Sequence, residues 1–522
     1  MGSKGMVATS QPLAVEAGIK ILEKGGNAID AAIASALALM VVEPTSTGIG
    51  GDSFALVWMG EKLYGLNSSG NSPKSISIED LKSKGYTSIP QYGMIPVTVP
   101  GGIAGLVALS ERFGILGFKE LFKPAVKHAR EGYIVTPIVS KLWEKAYNLY
   151  KDELKGAEFD EWFKTFAPRG RAPKAGELWK SDELADSLVL IAESKGEALY
   201  SGELADRIDT LSKKHGGYIR KSDLEKYKPE WVDPISVNYK GYDIWEIPPN
   251  GQGIVSLMAL NILEGIDFNH LDEVEIFHYQ IEAIKLAFAD AEKYICDKNS
   301  MVYSVEELLS KDYAITRRRL IKVQAIEPIC GNPKKNETIY IATADKDGNM
   351  VSLMQSHFIK FGSGVVIPGT GIPLHNRGTG FSFLSEHPNA LEPNKSPYHT
   401  IIPGFVTKEN RAIGPFGIVG GLMQPQGQVQ LISDTIDFNM SPQAALDRYR
   451  WQWVGGKTIQ VEPDFPDRII KGLRAKGHVI EIQNDITTMG RGQIIWKDED
   501  DTLYGGTDNR ADGNVLEVRN GL

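Results

Sequence analysis

Asn336-Glu337-Thr338-Ile339-Tyr340-Ile341-Ala342-Thr343-Ala344-Asp345-Lys346-Asp347-Gly348 is the stretch on which the reading of this chain turns. From Thr338 the residues alternate as a strand does. The turn-formers Asp345-Lys346-Asp347-Gly348-Asn349 follow, and then a second strand, Met350-Val351-Ser352-Leu353-Met354. A threonine heading a buried strand acquires special chemistry if the chain is cut just before it. It then carries a hydroxyl nucleophile and a free α-amine on one residue, enough to cleave an amide. Spacing alone does not establish the cut, because threonine is a β-former and starts ordinary strands as well.

Working outward, the 522 residues allow several ordinary domains or one large two-layer enzyme. Hydrophobic content of 42% and charged content of 24% are those of a soluble globular protein. A formal net charge of −9 argues against nucleic acid as a partner, since phosphate binding wants a basic face. Cys296 and Cys330 have no CxxC neighbour, so they read as ordinary thiols in a reducing compartment. No secretory signal is visible after Met1, and Met6 stands where a myristoylation signal wants Ser or Thr. The most apolar stretch, Ala28 to Val42, is interrupted by Asp30 and is too short to span a bilayer. The expectation is a cytoplasmic protein with no membrane partner.

Residues 11–43 read as two helices split by Gly25-Gly26, with Asn27 capping the second, alanine-rich one. The loop Thr47-Gly48-Ile49-Gly50-Gly51-Asp52-Ser53 leads into a strand from Phe54 to Trp58. The middle of the chain has helical periodicity, as in Leu184 through Glu193 and Leu204 through Leu211. Pro248 to Gly253 is a turn cluster ahead of an apolar helix, Ile254 to Leu263, and Phe277 to Tyr294 reads as a long amphipathic helix. After Gly331 strands become short and turns crowd together. The segment Lys322 to Glu337, with Pro328 and Pro333, reads as an exposed loop suited to cleavage. A cut there leaves pieces of 337 and 185 residues (522 minus 337). Strands lie at both ends with helices between, which suits sheets shared by both pieces with helices outside, in one α+β unit.

The glycine loop from Gly48 to Asp52 follows a helix and enters a strand, the reverse of a dinucleotide cradle, so it reads as a packing or site-lining turn. His278, His357, His375 and His399 show no HxH or HExxH spacing, and no metal or cofactor is expected. No Gly-x-Ser-x-Gly elbow stands near an Asp and His pair. Gly420-Gly421, ending a strand-like run, fits either a plain turn or a pair of backbone N–H groups aimed at one point.

Taken together, ordered blocks along the whole chain resemble the γ-glutamyltranspeptidase family of N-terminal-nucleophile hydrolases. They include Gly25-Gly26-Asn27-Ala28-Ile29-Asp30-Ala31-Ala32, Val42-Glu43-Pro44, Gly48-Ile49-Gly50-Gly51 and Val99-Pro100-Gly101. Lys285-Leu286-Ala287-Phe288-Ala289-Asp290, Asp345-Lys346-Asp347-Gly348-Asn349, Gly505-Gly506-Thr507-Asp508 and Arg510-Ala511-Asp512-Gly513 continue the series. The resemblance implies a precursor that cuts itself before Thr338. It also implies a four-layer αββα sandwich built from two autoproteolytic fragments, 1–337 and 338–522, intertwined as one catalytic domain. In the mature enzyme the Thr338 hydroxyl attacks a substrate amide while its α-amine accepts the proton. An α-amine suits this, because it titrates at ~7.7–8.0.

By the same resemblance Ser356 is a second hydroxyl bonded to the nucleophile, Gly420 and Gly421 stabilise the oxyanion, and Thr400 lines the substrate pocket. Departures are as informative. Ser69 stands where γ-glutamyl binders carry an arginine for the α-carboxylate, and Gly380 where they carry an aspartate for the α-ammonium. Phe358 replaces an asparagine and His399 a serine. Arg377, in the adjacent loop, is the candidate substitute cation. The expectation is therefore an amidohydrolase acting on a small-molecule γ-glutamyl or related acyl amide, with hydrolysis favoured over transfer. Two alternatives stay open: an acylase for a glutaryl or other side-chain amide, and a non-catalytic binding module. The partners expected are the two fragments themselves, and a homodimer is compatible with the sequence.

Overall fold

The computed structural model describes residues 4–328 and 337–518. Two antiparallel sheets form its centre. The first has seven strands in the order Asn514–Glu517, Gly5–Thr9, Glu337–Asp345, Met350–Phe358, Asp52–Met59, Lys62–Ser68 and Glu230–Val232. The second has six, in the order Leu503–Thr507, Arg491–Lys497, Arg411–Val419, Gly404–Lys408, Tyr242–Glu246 and Ile235–Tyr239. Each sheet draws strands from both sides of Thr338, as the sequence leads one to expect.

Three buried clusters define four layers. Phe54, Tyr340, Met354, Phe405 and Ile495 fill the space between the sheets. Outside the first sheet, Ile29, Leu37, Leu106, Trp143, Leu188 and their neighbours pack helices onto it. Outside the second, Val255, Ile281, Phe416 and Ile432 do the same. The Ala28–Val42 helix is buried along its whole length, since its small alanines let it lie close against the Glu337–Asp345 strand. Asn27 starts it through a capping box with Asp30, satisfying backbone donors that burial would otherwise leave orphaned.

The helices fall where periodicity places them: Pro12–Glu23, Asp182–Glu193, Glu203–Lys214 and Gly253–Glu264. The helix expected from Phe277 to Tyr294 runs from Glu273, and its polar residues do not form a solvated face. His278, Glu282 and Lys285 are buried, and Lys285 Nζ donates to Glu282 Oε1 at 2.7 Å. An internal ion pair thus mimics amphipathic spacing. Of the expected cleavage loop, residues 322–324 are exposed while Ala325 and Pro328 are buried; residues 329–336, with Cys330 and Pro333, lie outside the described residues. Cys296 is buried. Among the described residues no helix is long and apolar enough to cross a membrane.

Candidate active site

The two central strands of the first sheet meet irregularly at one end. Gln355 pairs with Ile339 and Phe358 with Glu337, so Ser356 and His357 together oppose the single residue Thr338. Such a bulge re-aims side chains. Ser356 Oγ comes to 3.5 Å from Thr338 Oγ1 and accepts the Phe358 N–H at 2.8 Å. On the other neighbour Ser356 pairs with Asp52, which places Thr338, Ser356 and Asp52 in one row across three strands.

Thr338 is wholly buried and held at both ends. Gln424 Nε2 donates to its Oγ1 at 3.2 Å, and Arg491 donates to its carbonyl at 3.4 Å. Arg491 is itself paired with buried Glu43 at 3.0 Å. Gly420 and Gly421 follow the Arg411–Val419 strand with φ of 128° and 61°, a region where glycine avoids the side-chain penalty. The Gly421 carbonyl accepts from Gln252 Nε2, and the Met423–Ile436 helix starts two residues later. No acceptor for the N–H of Gly420 or Gly421 occurs among the described residues. A paired turn of this kind at a helix start can receive a developing negative charge.

Asp52 is the electrostatic centre of the site. Arg377 grips it with two bonds, Nε to Oδ2 at 2.7 Å and NH2 to Oδ1 at 3.0 Å. His399 Nε2 donates to Oδ2 at 2.8 Å, and its Nδ1 accepts the Ile401 N–H, which fixes the neutral tautomer. His375 Nδ1 lies 3.4 Å from the same oxygen, with its Nε2 against the Thr98 carbonyl. Burial would raise the Asp52 carboxyl, but Arg377 and the two histidines outweigh it and hold it well below the usual carboxylate range. Burial, then the Arg377 charge, push His399 down to about 4 against the pull of Asp52. Burial pushes His357 down to about 3, and neither of its ring nitrogens finds a hydrogen-bond partner among the described residues.

The sequence-derived residues fall into two groups. Thr338, Ser356, Phe358, Arg377, His399 and Thr400 are linked by contact. Arg377 stacks over the Phe358 ring at 4.3 Å and donates to Thr400 Oγ1 at 3.0 Å. As a free cation, however, Arg377 is corrected by the structure: it is fully buried and its charge is matched by Asp52. Ser69 belongs to the second group. It borders a cavity of about 420 Å³ lined by Asn67, Asn71, Tyr227 and Asn250, and its Oγ accepts from Asn250 Nδ2. Gly380 sits against the Tyr398 carbonyl, where a side chain would come within 2.8 Å.

Asp52, Gln424, Arg491 and Glu43 were not singled out from the sequence. Asp52 ends the glycine loop, whose compactness was legible: a Cβ on Gly50 would lie 2.1 Å from the Pro373 carbonyl oxygen. For Gln424 the signal is the run Gln424-Pro425-Gln426-Gly427-Gln428-Val429-Gln430, four glutamines that the helix buries. Gln426 and Gln430 bond the backbone N–H and C=O of Trp453 and Trp451, completing an edge strand.

A buried Thr338 opposite a bulge in the neighbouring strand, inside two sheets flanked by helices, defines an N-terminal-nucleophile hydrolase. The profile of the gamma-glutamyltranspeptidase family matches residues 14–518, and this chain belongs to that family. It is 38% identical to the glutathione hydrolase-like YwrD proenzyme of Bacillus subtilis, over 99% of both chains. It is 32% identical to the acylase ACY 1 proenzyme of Pseudomonas sp. strain SE83, over 100% of this chain and 95% of that one. The crystal structure of a cephalosporin acylase from Bacillus halodurans superposes with a TM-score of 0.96 at 55% identity, covering 99% of this chain and 96% of that one. Members of this kind are hydrolases, and this chain is an amidohydrolase proenzyme of the family.

Proposed function

We propose that the chain cuts itself between Glu337 and Thr338 and then hydrolyses an N-acyl amide whose acyl group lacks an α-amino-acid head. In self-processing the Thr338 hydroxyl attacks the Glu337 carbonyl, and the Glu337–Thr338 C–N bond breaks to leave an ester and a free α-amine. Water then hydrolyses the ester to release the Glu337 carboxylate and restore the hydroxyl. In turnover the same oxygen bonds to the substrate carbonyl carbon, its proton passing to the α-amine. Gly420 and Gly421 donate to the oxyanion. The amine group of the product leaves with the proton, and water releases the acyl group from Thr338. Ser356 Oγ accepts a hydrogen bond from the Thr338 hydroxyl in the resting state, while Thr400, His399 and Phe358 shape the acyl pocket. Ser69 borders a separate cavity with Asn67, Asn71 and Asn250.

One observation carries the choice of substrate. Arg377, beside Thr400, spends its charge on Asp52, and by the family resemblance Ser69 and Gly380 stand where binders of a zwitterion carry an arginine and an aspartate. A γ-glutamyl head would therefore bury two charges without partners, which costs several kcal/mol. The names of the cephalosporin acylase and acylase relatives agree with this reading, and the glutathione hydrolase-like relative supplies the rival one. Assaying the cleaved protein with γ-glutamyl, glutaryl and simple acyl anilides separates them. The expected order places both acyl groups at least ~10-fold above γ-glutamyl in kcat/KM, as a loss of charge pairing implies. Faster γ-glutamyl turnover refutes the substrate assignment; equal inertness despite maturation favours a binding module.

A further inference from the structure

Gln424 stands in the first turn of the Met423–Ile436 helix and bridges two parts of the site. Its Oε1 accepts the Ile402 N–H at 3.3 Å, and its Nε2 donates to Thr338 Oγ1 at 3.2 Å. Met354 Sδ shares the Ile402 N–H at 3.2 Å, and the Gln424 contact orients the amide. Only the carbonyl side of the amide can meet the Ile402 donor, so the NH2 side faces the threonine hydroxyl. Both side chains are fully buried, so water does not compete. An oxygen that receives this N–H must send its own proton elsewhere, and Ser356 Oγ is the neighbour within reach. Gln428, one helical turn on, grips the same loop residue from the other side: its Nε2 donates to the Ile402 carbonyl at 2.9 Å, and its Oε1 accepts from Ser256. The two glutamines therefore share the loop, and Gln424 is the one that hydrogen-bonds the nucleophile.

We infer that Gln424 is a catalytic residue that directs the Thr338 hydroxyl and stabilises negative charge on its oxygen, in self-processing and in turnover alike. The inference rests on Thr338 as nucleophile. As Oγ1 bonds to the carbonyl carbon its proton passes to the Thr338 nitrogen, which is the departing amide nitrogen in self-processing and the free α-amine in turnover. The Gln424 N–H stays on that oxygen. When the acyl–Oγ1 bond breaks during deacylation, Oγ1 keeps the electron pair and recovers a proton from the α-ammonium. The same N–H then stabilises the leaving oxygen.

Three variants test it, with mass spectrometry timing the self-cut and anilide hydrolysis giving kcat and KM. Gln424→Met is expected to slow self-processing and kcat by a similar factor, ~100-fold, with KM within about twofold, because one donor to a developing oxyanion is worth that much. Gln428→Met disturbs Ile402 without touching Thr338, so it is expected to raise KM and leave the self-cut within about twofold. Gln424→Glu keeps an acceptor for Ile402 and loses the donor once ionised. Its self-cut should slow as pH rises from ~6 to ~9, a trend the wild type lacks. Should Gln424→Met not fold, the Gln424→Glu profile decides, and a profile matching wild type overturns the inference. It is also overturned if Gln424→Met acts only through KM, or if Gln428→Met slows the self-cut equally. A wild-type chain that never cuts removes the Thr338 reading and this one with it. A wild type that cuts and turns over beside equally fast Gln424 variants removes this one alone.

Discussion

Replacing Asp52 by asparagine should both weaken the protein and change what its pocket attracts. Asp52 and Arg377 are fully buried and joined by two bonds of 2.7 and 3.0 Å. Opposite charges about 4 Å apart at an effective dielectric of about 20 attract by ~4 kcal/mol. Breaking a buried pair from one side typically costs ~3–5 kcal/mol, because the remaining charge stays desolvated. Unfolding entropy is about 2.1 cal/mol/K per residue, or about 1.1 kcal/mol/K for 522 residues unfolding as a unit. The midpoint should therefore fall by ~3–5 °C. Calorimetry at one fixed scan rate is the suitable assay, since many large chains unfold irreversibly and their midpoints then depend on scan rate. Asp52→Leu with Arg377→Met, which removes both charges, should recover most of the loss. In Asp52→Asn alone, the unpaired guanidinium should favour an acyl group that carries a carboxylate. The glutaryl to simple-acyl ratio of kcat/KM is expected to rise ~10-fold. A midpoint within 1 °C of wild type together with an unchanged ratio would refute the view that Asp52 neutralises Arg377.

Two further outcomes follow from the same geometry. His357 is neutral in the fold, held at about 3 against an ordinary 6.5, so its contribution is complete above pH ~6.5 and is lost as pH falls toward 3, at ~1.4 kcal/mol per unit. Thermal midpoints measured from pH 7.5 to 4.5 should fall less steeply in His357→Leu than in wild type, and identical slopes would contradict the buried, neutral ring. Gly420→Ala meets nothing closer than 3.4 Å, but its φ of 128° strains any side chain. Turning that peptide away from the oxyanion should lower kcat by ~10²–10³ with little change in KM, read from steady-state kinetics, and an unaltered kcat would exclude the Gly420 N–H from the site.

Much of the scaffold was legible because its signals are local. Asn27 and Asp30 announce a helix start three residues apart, and the alternation after Thr338 with a turn at Asp345–Asn349 announces a hairpin. The row of site residues was legible only through resemblance. Its electrostatic heart was not legible at all, because Asp52 and Arg377 are 325 residues apart and neither neighbourhood hints at the other. A buried ion pair leaves no periodic trace. The Glu282–Lys285 pair makes the converse point: spacing that looks like a solvated helix face turned inward, since the two charges satisfy each other. Gln424 went unseen because a glutamine on a helix reads as surface until its partners are known.

The central claim is that Thr338 becomes the first residue of a new chain. Intact-mass measurement of the purified wild type beside Thr338→Ala tests it most directly. The account predicts two polypeptides in the wild type, the smaller of 185 residues (522 minus 337) beginning Thr338-Ile339-Tyr340, and one uncut chain in the variant. An active wild-type preparation that remains a single uncut polypeptide would contradict it.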